Sequence, residues 1–333
     1  IALKAIQTKA NPKTIIVPDD YPTIQEAIDA ASEGDTIFVR SGTYQEYFDI
    51  YKDNLRVIGE NPKTTILELY EAVCISIYSN NVQLTGFTMK GTGSPGIFIL
   101  GDNNNVTNNI IINSNPGIEI LENSNGNWIT ENYITADPSM SPMGIWLERS
   151  NDNTIANNII TNTSFGIELY DFSEENTIIN NTLMDNGIGI DVRGSCANRI
   201  INNTIDSSYT GISIGGRSNG NTLVGNFVKN SKQGIVIYCS GSTALKNNTM
   251  IDNEHNFGIW GDVLQEFIQY IDTSNTINGK PIYYWINYEN KKVPSDAGYI
   301  ALINCNNIII ENVSISNNEQ GILLFQVQNS TVN

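Results

Sequence analysis

The sequence predicts an all-β solenoid, because one short pattern recurs along most of its 333 residues. Each unit contains an Asn-x-Ile-x-x-Asn segment and then Gly-Ile-x-Ile, and units recur about every 22 residues, a period typical of solenoids. Asn153–Asn158 followed by Gly166–Leu169 is one copy. The two aliphatic side chains of Gly-Ile-x-Ile share one face, because side chains alternate along a strand. We therefore predict a single-stranded parallel β-helix with these pairs inside the tube.

The two residue types that define the unit have separate predicted roles. The aliphatic pairs, such as Ile118 with Ile120 and Ile235 with Ile237, are expected to stack as columns in the core. Asparagine tolerates the left-handed backbone of sharp turns, and stacked amides can hydrogen-bond to the same amide one coil away. The predicted ladder consists of Asn132, Asn158, Asn181, Asn203, Asn226 and Asn248.

The order of segments predicts one domain after a short N-terminal region. Residues 1–13 show no period and are predicted to form a leader or an extended arm. Residues 14–333 are predicted to form one β-helix, with a cap over 14–60, regular coils over 61–261, one late insertion over 262–297 and final coils over 298–333. The insertion is predicted because this segment is rich in aromatic residues and departs from the asparagine pattern.

An amphipathic helix near residues 22–33 is predicted to cap the N-terminal end of the coil stack. Ile24, Ala27, Ile28 and Ala31 follow helical spacing, and acidic residues lie in the first turns. An end coil exposes an apolar cross-section, so a helix laid over it protects that surface from water.

The composition limits the partners that this chain can have. It carries 35 acidic and 18 basic residues, a formal net charge of −17. Such a field repels nucleic acids and anionic membranes, and it repels acidic polysaccharides unless a divalent cation such as Ca²⁺ or a local basic patch intervenes. No apolar run approaches the ~18 residues that span a bilayer, so no membrane span is predicted. Apart from possible Ca²⁺, no cofactor or metal site is predicted.

Seven Asn-x-Ser/Thr sequons are consistent with an exported protein that is extracellular or on the cell surface. They begin at Asn105, Asn162, Asn180, Asn202, Asn247, Asn312 and Asn329. The four cysteines lie far apart and form no Cys-x-x-Cys pair, so we expect free thiols rather than intramolecular disulfides.

These repeats resemble the right-handed parallel β-helix repeats of the pectin-lyase-like superfamily. The similarity is closest to the carbohydrate-binding and sugar-hydrolysis (CASH) repeats of NosD-type nitrous-oxide-reductase maturation proteins and of archaeal cell-surface proteins. The opening block Val17–Ile37, with Ser41–Glu46, is similar to the start of that family and of pectin methylesterases, and Asn278–Tyr284 is similar to a block in archaeal members. The resemblance implies a right-handed coil, but this fold hosts lyases, hydrolases, epimerases, adhesins and coats.

The chain lacks the signature motifs of several enzymes with this fold. It has no Gly-x-x-Asp-Phe-Ile-Phe-Gly segment as in pectin methylesterases and no Asp-Asp with Gly-His-Gly as in polygalacturonase-like hydrolases. The Asp-Pro-His-Asp of mannuronan epimerases is absent too. A NosD-like copper accessory role is a further alternative, but it would need clusters of His, Met or Cys, whereas the chain has one His and five scattered Met.

The residue between each aliphatic pair is predicted to point out of the tube, so that coils stacked at ~4.8 Å form outer columns. The first predicted column consists of Phe98, Glu119, Trp146, Glu168, Asp191, Ser213, Val236 and Trp260. The second consists of Leu121, Glu148, Tyr170, Arg193, Gly215 and Tyr238, with Arg149 and Arg217 at the adjoining turn.

Acidic and aromatic side chains on one face suit a carbohydrate, because rings stack on apolar sugar faces and carboxylates accept from hydroxyls. The residues predicted to bind carbohydrate are Glu119, Trp146, Glu148, Arg149, Tyr238 and Trp260. The main hypothesis is an exported or cell-surface protein that binds a glycan or packs against neighbouring subunits of a surface layer. End-to-end self-association is a variant of it, and in a further interpretation the acids only solvate the outer face.

The alternative hypothesis is a polysaccharide lyase or glycoside hydrolase that acts on this face. Glu168 and Asp191, on adjacent coils ~5 Å apart, would match the carboxylates of a retaining glycosidase. Close carboxylates raise one another's proton affinity, which can supply a general acid. In lyase chemistry, Arg193 would neutralise a uronate while Tyr170 takes up a proton.

Overall fold

The computed structural model describes residues 11–69, 74–91 and 93–333, so most of the predicted arm at 1–13 lies outside the described residues. The described chain coils into a parallel β-helix whose turns each contribute one strand to three sheets. In one coil, Thr154–Ala156, Ile159–Thr161 and Phe165–Tyr170 follow one another and belong to sheets 1, 3 and 2. The predicted all-β parallel β-helix is confirmed.

Sheets 1 and 2 are built from short parallel strands in the described residues. Sheet 1 has 12 strands: Thr14–Val17, Thr36–Val39, Arg56–Gly59, Gln83–Thr85, Asn105–Thr107, Trp128–Thr130, Thr154–Ala156, Thr177–Ile179, Arg199–Ile201, Thr222–Val224, Ala244–Lys246 and Tyr270–Ile271. Sheet 2 has 10 strands: Asp49–Ile50, Ile75–Ile77, Ile97–Ile99, Ile118–Leu121, Met143–Glu148, Phe165–Tyr170, Ile188–Arg193, Thr210–Gly215, Gln233–Tyr238 and His255–Trp260.

The other elements extend to the C-terminal end of the described chain. Sheet 3 has 14 described strands: Gly42–Tyr44, Thr65–Glu68, Thr88–Lys90, Ile110–Ile112, Tyr133–Thr135, Ile159–Thr161, Thr182–Met184, Thr204–Asp206, Phe227–Lys229, Thr249–Ile251, Thr276–Ile277, Lys280–Ile286, Tyr299–Ile303 and Ile322–Phe325. Sheet 4 has three described strands: Glu289–Lys292, Asn306–Ile310 and Thr331–Val332. The described helices are the α-helix Ile24–Ala30 and the 3₁₀ helices Pro138–Met140 and Leu264–Phe267.

The core of the tube is built from the predicted aliphatic columns. Ile118, Ile120, Ile235 and Ile237 are fully buried. Sheet 2 keeps one register from coil to coil, since a slip by one residue would turn the aliphatic set outward. The register therefore follows from burial of this face.

The asparagine ladder is present and hydrogen-bonded from coil to coil. Both the backbone N–H and the side-chain Nδ2 of Asn158 donate to Oδ1 of Asn181, at 2.9 and 3.0 Å. Asn181 donates in the same way to Asn203, at 2.9 and 3.0 Å. All members are buried, so the ladder satisfies polar groups that water cannot reach. It extends one coil beyond the prediction at each end, because Asn109 donates to Asn132 and Asn248 donates to Asn275.

The glycine of each Gly-Ile-x-Ile strand lies at the inner corner where sheet 3 turns into sheet 2. A Cβ placed on Gly189 would lie 2.6 Å from the carbonyl oxygen of Gly211 and 2.8 Å from a methyl group of Ile205. The same crowding occurs at Gly144 and Gly166 on earlier coils. Only a residue without a side chain fits this corner, which explains why the repeat begins with glycine.

The N-terminal helix covers the first coils, as predicted, but is shorter than residues 22–33. Thr23 caps it by accepting from the Glu26 N–H, and Ile24 and Ile28 are buried in the core. It ends at Ala30 because Ala31 adopts an extended conformation. None of the helices in the described residues is long and apolar enough to cross a membrane.

The coil pattern continues into the segment predicted as an insertion at 262–297. Tyr270–Ile271 and Thr276–Ile277 pair in parallel with the preceding coil. The departure begins where Lys280–Ile286 pairs antiparallel with Thr276–Ile277, rather than at residue 262. Strand Tyr299–Ile303 is then buried on both sides, between the main core and a second apolar cluster under sheet 4.

Candidate functional site on the outer face of sheet 2

The outer face of sheet 2 brings the predicted site residues together in two columns. The central column pairs Glu119 with Trp146, Trp146 with Glu168, and Glu168 with Asp191 on adjacent strands. The lateral column consists of Leu121, Glu148, Tyr170, Arg193, Gly215, Tyr238 and Trp260. Glu168 and Asp191 therefore lie on one wall of the tube.

One residue was predicted in the wrong column. Trp260 pairs with Tyr238 and belongs to the lateral column, whereas Gly258 pairs with Val236 in the central one. The last strand of sheet 2 turns Phe257 and Ile259 inward, so a glycine takes the outward place between them. Because this strand reads Phe-Gly-Ile, the Gly-Ile-x-Ile motif does not give its register, and Trp260 was therefore predicted in the central column.

The carboxylates of Glu168 and Asp191 point outward but are nearly inaccessible, with exposed fractions of 4% and 1%. Arg193 lies against this pair, and its Nη2 donates to Asp191 Oδ2 at 2.6 Å. Its guanidinium also lies 5.9 Å from the ring centroid of Phe165, at the opposite edge of the face. The Arg193 side chain thus extends from the lateral column past Asp191 toward Phe165, and its charge also acts on Glu168. Phe165 was not predicted, because its role depends on this side-chain path.

Burial sets the proton affinity of this pair. Desolvation raises the pKa of Glu168, the Asp191 charge raises it further, and Arg193 opposes both effects. Desolvation also raises the pKa of Asp191, although Arg193 and hydrogen bonds, including one with Ser213, lower it in part. In the described part of the chain, the Glu168 carboxylate has no hydrogen-bond partner. In this pair, the raised pKa of Glu168 favours its protonated form, whereas Asp191 is ion-paired with Arg193.

A second acidic group lies two coils earlier. Burial raises the pKa of Glu119, and the charge of Glu148 adds to this effect. Arg149 Nη1 lies 3.6 Å from Glu148 Oε1, and its Nη2 donates to the carboxylate of Asp171 at the next turn. Arg149 is therefore engaged by acids, as Arg193 is. Neither cation is free to neutralise a uronate, which weakens the predicted lyase chemistry.

Aromatic side chains lie at both ends of the face. Near the C-terminal end, Tyr238 and Trp260 stack in parallel with ring centroids 4.7 Å apart. At the N-terminal end, Tyr51 and Tyr78 stack at 4.9 Å, and Phe98 meets Tyr78 edge-on. Sequence reasoning missed the two N-terminal tyrosines because their strands lack the Gly-Ile-x-Ile motif, although Ile-Tyr after each strand was a usable signal.

The described residues of this face form no metal centre. Among the residues that the structure describes, no group of three or more His, Cys, Asp or Glu side chains is arranged to hold a metal ion. The four cysteines are free thiols, of which Cys305 is buried. The copper alternative thus has no described site to support it, and Ca²⁺ binding stays a prediction.

Residues 73–228 match the protein family described as "Right handed beta helix region". No curated protein matches the chain. Its fold is similar to a double mutant of the tailspike protein of E. coli bacteriophage HK620 in complex with pentasaccharide, with 11% identity, a TM-score of 0.63, and coverage of 96% of this chain and 74% of that chain.

A second similar structure is the catalytic unit of a thermostable GH87 α-1,3-glucanase from Streptomyces thermodiastaticus strain HF3-3. The identity is 14%, the TM-score is 0.54, and the match covers 92% of this chain but 65% of that chain, less than two thirds of its length. In fold, this protein is a right-handed parallel β-helix. The narrower resemblance to CASH, NosD-type and archaeal proteins stays a prediction.

Proposed function

We propose that the outer face of sheet 2 binds a carbohydrate chain laid along the axis of the coil stack. One observation carries the proposal: aromatic stacks flank a row of acidic side chains on ten in-register strands. At the strand spacing of a sheet this face is about 40 Å long, enough for several sugar units. The aromatic rings and the partly accessible carboxylates of Glu119 and Glu148 supply the apolar and hydrogen-bonding contacts that sugars need.

The charge of the face favours a neutral glycan over an acidic one. Glu119 and Glu168 are acidic, while Arg149 and Arg193 are already paired with Asp171 and Asp191. The net charge of −17 adds long-range repulsion toward polyanions. The two similar structures bear names of a glucanase and of a tailspike bound to a pentasaccharide, in agreement with a carbohydrate ligand.

A glycan array on the purified protein, followed by titration of the best ligand, tests the proposal. Trp260→Ala and Tyr238→Ala are each expected to weaken binding about 10-fold, because each removes one ring of the stack. Tyr270→Ala is the matched control, since Tyr270 is 63% exposed but lies on sheet 1. A blank array, or equal losses in all three variants, would contradict binding at sheet 2.

Glycoside hydrolysis at Glu168 and Asp191 is a second candidate function. The buried pair on adjacent strands favours it, because a ~5 Å separation suits a retaining mechanism. Glu168 would protonate the leaving oxygen, and Asp191 would act as nucleophile once a substrate draws Arg193 aside.

Location outside the cell, or packing against neighbouring subunits, also stays a proposal.

Release of new reducing ends from neutral glycans tests this candidate. Glu168→Gln and Asp191→Asn are each expected to lower the rate about 1000-fold or more, as for essential catalytic acids. Glu131→Gln is the control, since Glu131 is exposed at the corner between sheets 1 and 3, away from this face. Hydrolysis that survives both changes would refute this assignment while leaving glycan binding intact.

A further inference from the structure

We propose that this chain carries N-linked glycans along one edge of the coil stack, at Asn180, Asn202 and Asn247. The edge is the corner between sheets 1 and 3, and it faces away from sheet 2. The inference is separate from glycan binding, but it rests on the proposed location outside the cell, since modification requires contact with a glycosylation system.

All seven sequon asparagines are exposed, whereas the ladder asparagines are buried. The repeat itself enforces this separation. Two residues after a ladder asparagine comes a core aliphatic residue, as with Leu183 after Asn181, so a ladder asparagine never meets the Ser/Thr requirement. For the asparagine just before each ladder asparagine, the second following residue is instead the first residue of the sheet 3 strand. For Asn180, this residue is Thr182.

The corner holds these asparagines in one conformation with their amides turned to solvent. Asn180, Asn202 and Asn247 have left-handed φ values of 55°, 51° and 55°. The backbone N–H of Asn180 donates to the carbonyl of Ile201 at 3.0 Å, which fixes the turn without the side chain. The side-chain amides of the three residues take no part in the described hydrogen bonds. Their Nδ2 groups are thus free for modification, unlike those spent in the ladder.

The modification is a group transfer from an oligosaccharide activated as a phosphate ester of a lipid carrier. The Asn Nδ2 forms a bond to the anomeric carbon of the first sugar and loses one proton, which passes to solvent. The bond between that carbon and the carrier phosphate breaks, and the phosphate leaves with its electron pair. The hydroxyl at the second following position, here from Thr182, Thr204 or Thr249, completes the acceptor sequence.

Asn157 provides a matched control at the same corner. It is exposed, has φ of 57°, and donates its backbone N–H to the carbonyl of Ile179 at 3.1 Å. It differs from Asn180 only in lacking the acceptor sequence, because Ile159 stands at the second following position. Ile159 is 41% exposed, so a threonine is tolerated there.

Glycopeptide mass spectrometry of the protein from its native cells is the first test. Sugar is expected on Asn180, Asn202 and Asn247 and not on Asn157. The second test uses the chain secreted from a host with an oligosaccharide transferase. There, Thr182→Ala should abolish occupancy at Asn180, Thr182→Ser should retain it, and Ile159→Thr should create occupancy at Asn157.

Two outcomes would overturn the proposal. One is the native protein with no sugar at any of the three asparagines. The other is an Ile159→Thr variant that is folded and secreted yet unmodified at Asn157, which would mean that the corner does not admit a glycan. Circular dichroism of each variant separates this second outcome from misfolding.

Discussion

Glu168 and Asp191 illustrate how a residue's surroundings change what its position in the repeat implies. Alternation along the strand predicted that both point outward, and they do. Both are nearly buried, and Arg193 binds Asp191 and reaches across the column toward Phe165. No local pattern encodes this path, because an arginine side chain has many rotamers and the partner lies on another coil. Sequence reasoning therefore placed the acids correctly but could not predict that they are buried.

Glu168→Gln is expected to stabilise the protein near pH 8 and to lose that advantage in acid. Burial and Asp191 raise the pKa of Glu168, so the folded state binds this proton more tightly than the unfolded chain. The stabilising contribution of Glu168 to the free energy of unfolding is fully present below the ordinary carboxyl pKa of about 4.3. It is lost as the pH rises through the raised pKa of the folded state. Thermal unfolding of both proteins between about pH 4 and pH 8 measures the difference.

The exposed Glu254 provides the control for this prediction, since its side chain is 63% accessible. Glu254→Gln should shift the melting temperature little and by a similar amount across the range. A difference between wild type and Glu168→Gln that does not change with pH would contradict the raised pKa.

At the scale of the element, the asparagine ladder joins adjacent turns independently of the aliphatic core. Each member binds its neighbours through a backbone N–H, an Nδ2 and an Oδ1, and Asn203 also donates to the carbonyl of Ile178. The sequence predicted this ladder because its asparagines recur at a fixed period. It missed both end members of the ladder, Asn109 and Asn275, and Asn275 lies among the aromatic residues that suggested an insertion.

Asn203→Ala is expected to destabilise the protein by about 3–5 kcal/mol, because it leaves several buried polar groups without partners. Urea unfolding followed by circular dichroism measures the change in free energy. The neighbouring Asn202→Gly is the control, since Asn202 is exposed in a left-handed turn that glycine accepts, and it should cost less than about 1 kcal/mol. Equal losses in the two variants would show that the ladder bonds add no stability.

At the scale of the whole molecule, the charge is spread over a long surface rather than concentrated at one centre. The acids of sheet 2 are partly paired, yet the chain as a whole carries a net charge of −17. Charge of this size opposes compaction through self-repulsion. The fold tolerates it because the aliphatic columns and ladders run along the tube.

The melting temperature is expected to rise when NaCl increases from about 10 mM to about 150 mM, because the screening length falls from roughly 30 to 8 Å. Differential scanning calorimetry measures the shift, and sorbitol at equal osmolality controls for non-ionic effects. A melting temperature that falls with salt would show that ion pairs such as Arg149 with Asp171 outweigh the net repulsion.

The sequence by itself determined the coil, its core columns and its ladder, because these depend on a period that burial enforces on every turn. It also determined which side chains share the outer face. Only the tertiary structure decided that the acid pair is buried with Arg193 bound to Asp191, that Tyr51 and Tyr78 extend the aromatic face, and that Trp260 stacks on Tyr238. These features depend on contacts between coils and on side-chain paths, which a repeat period does not specify.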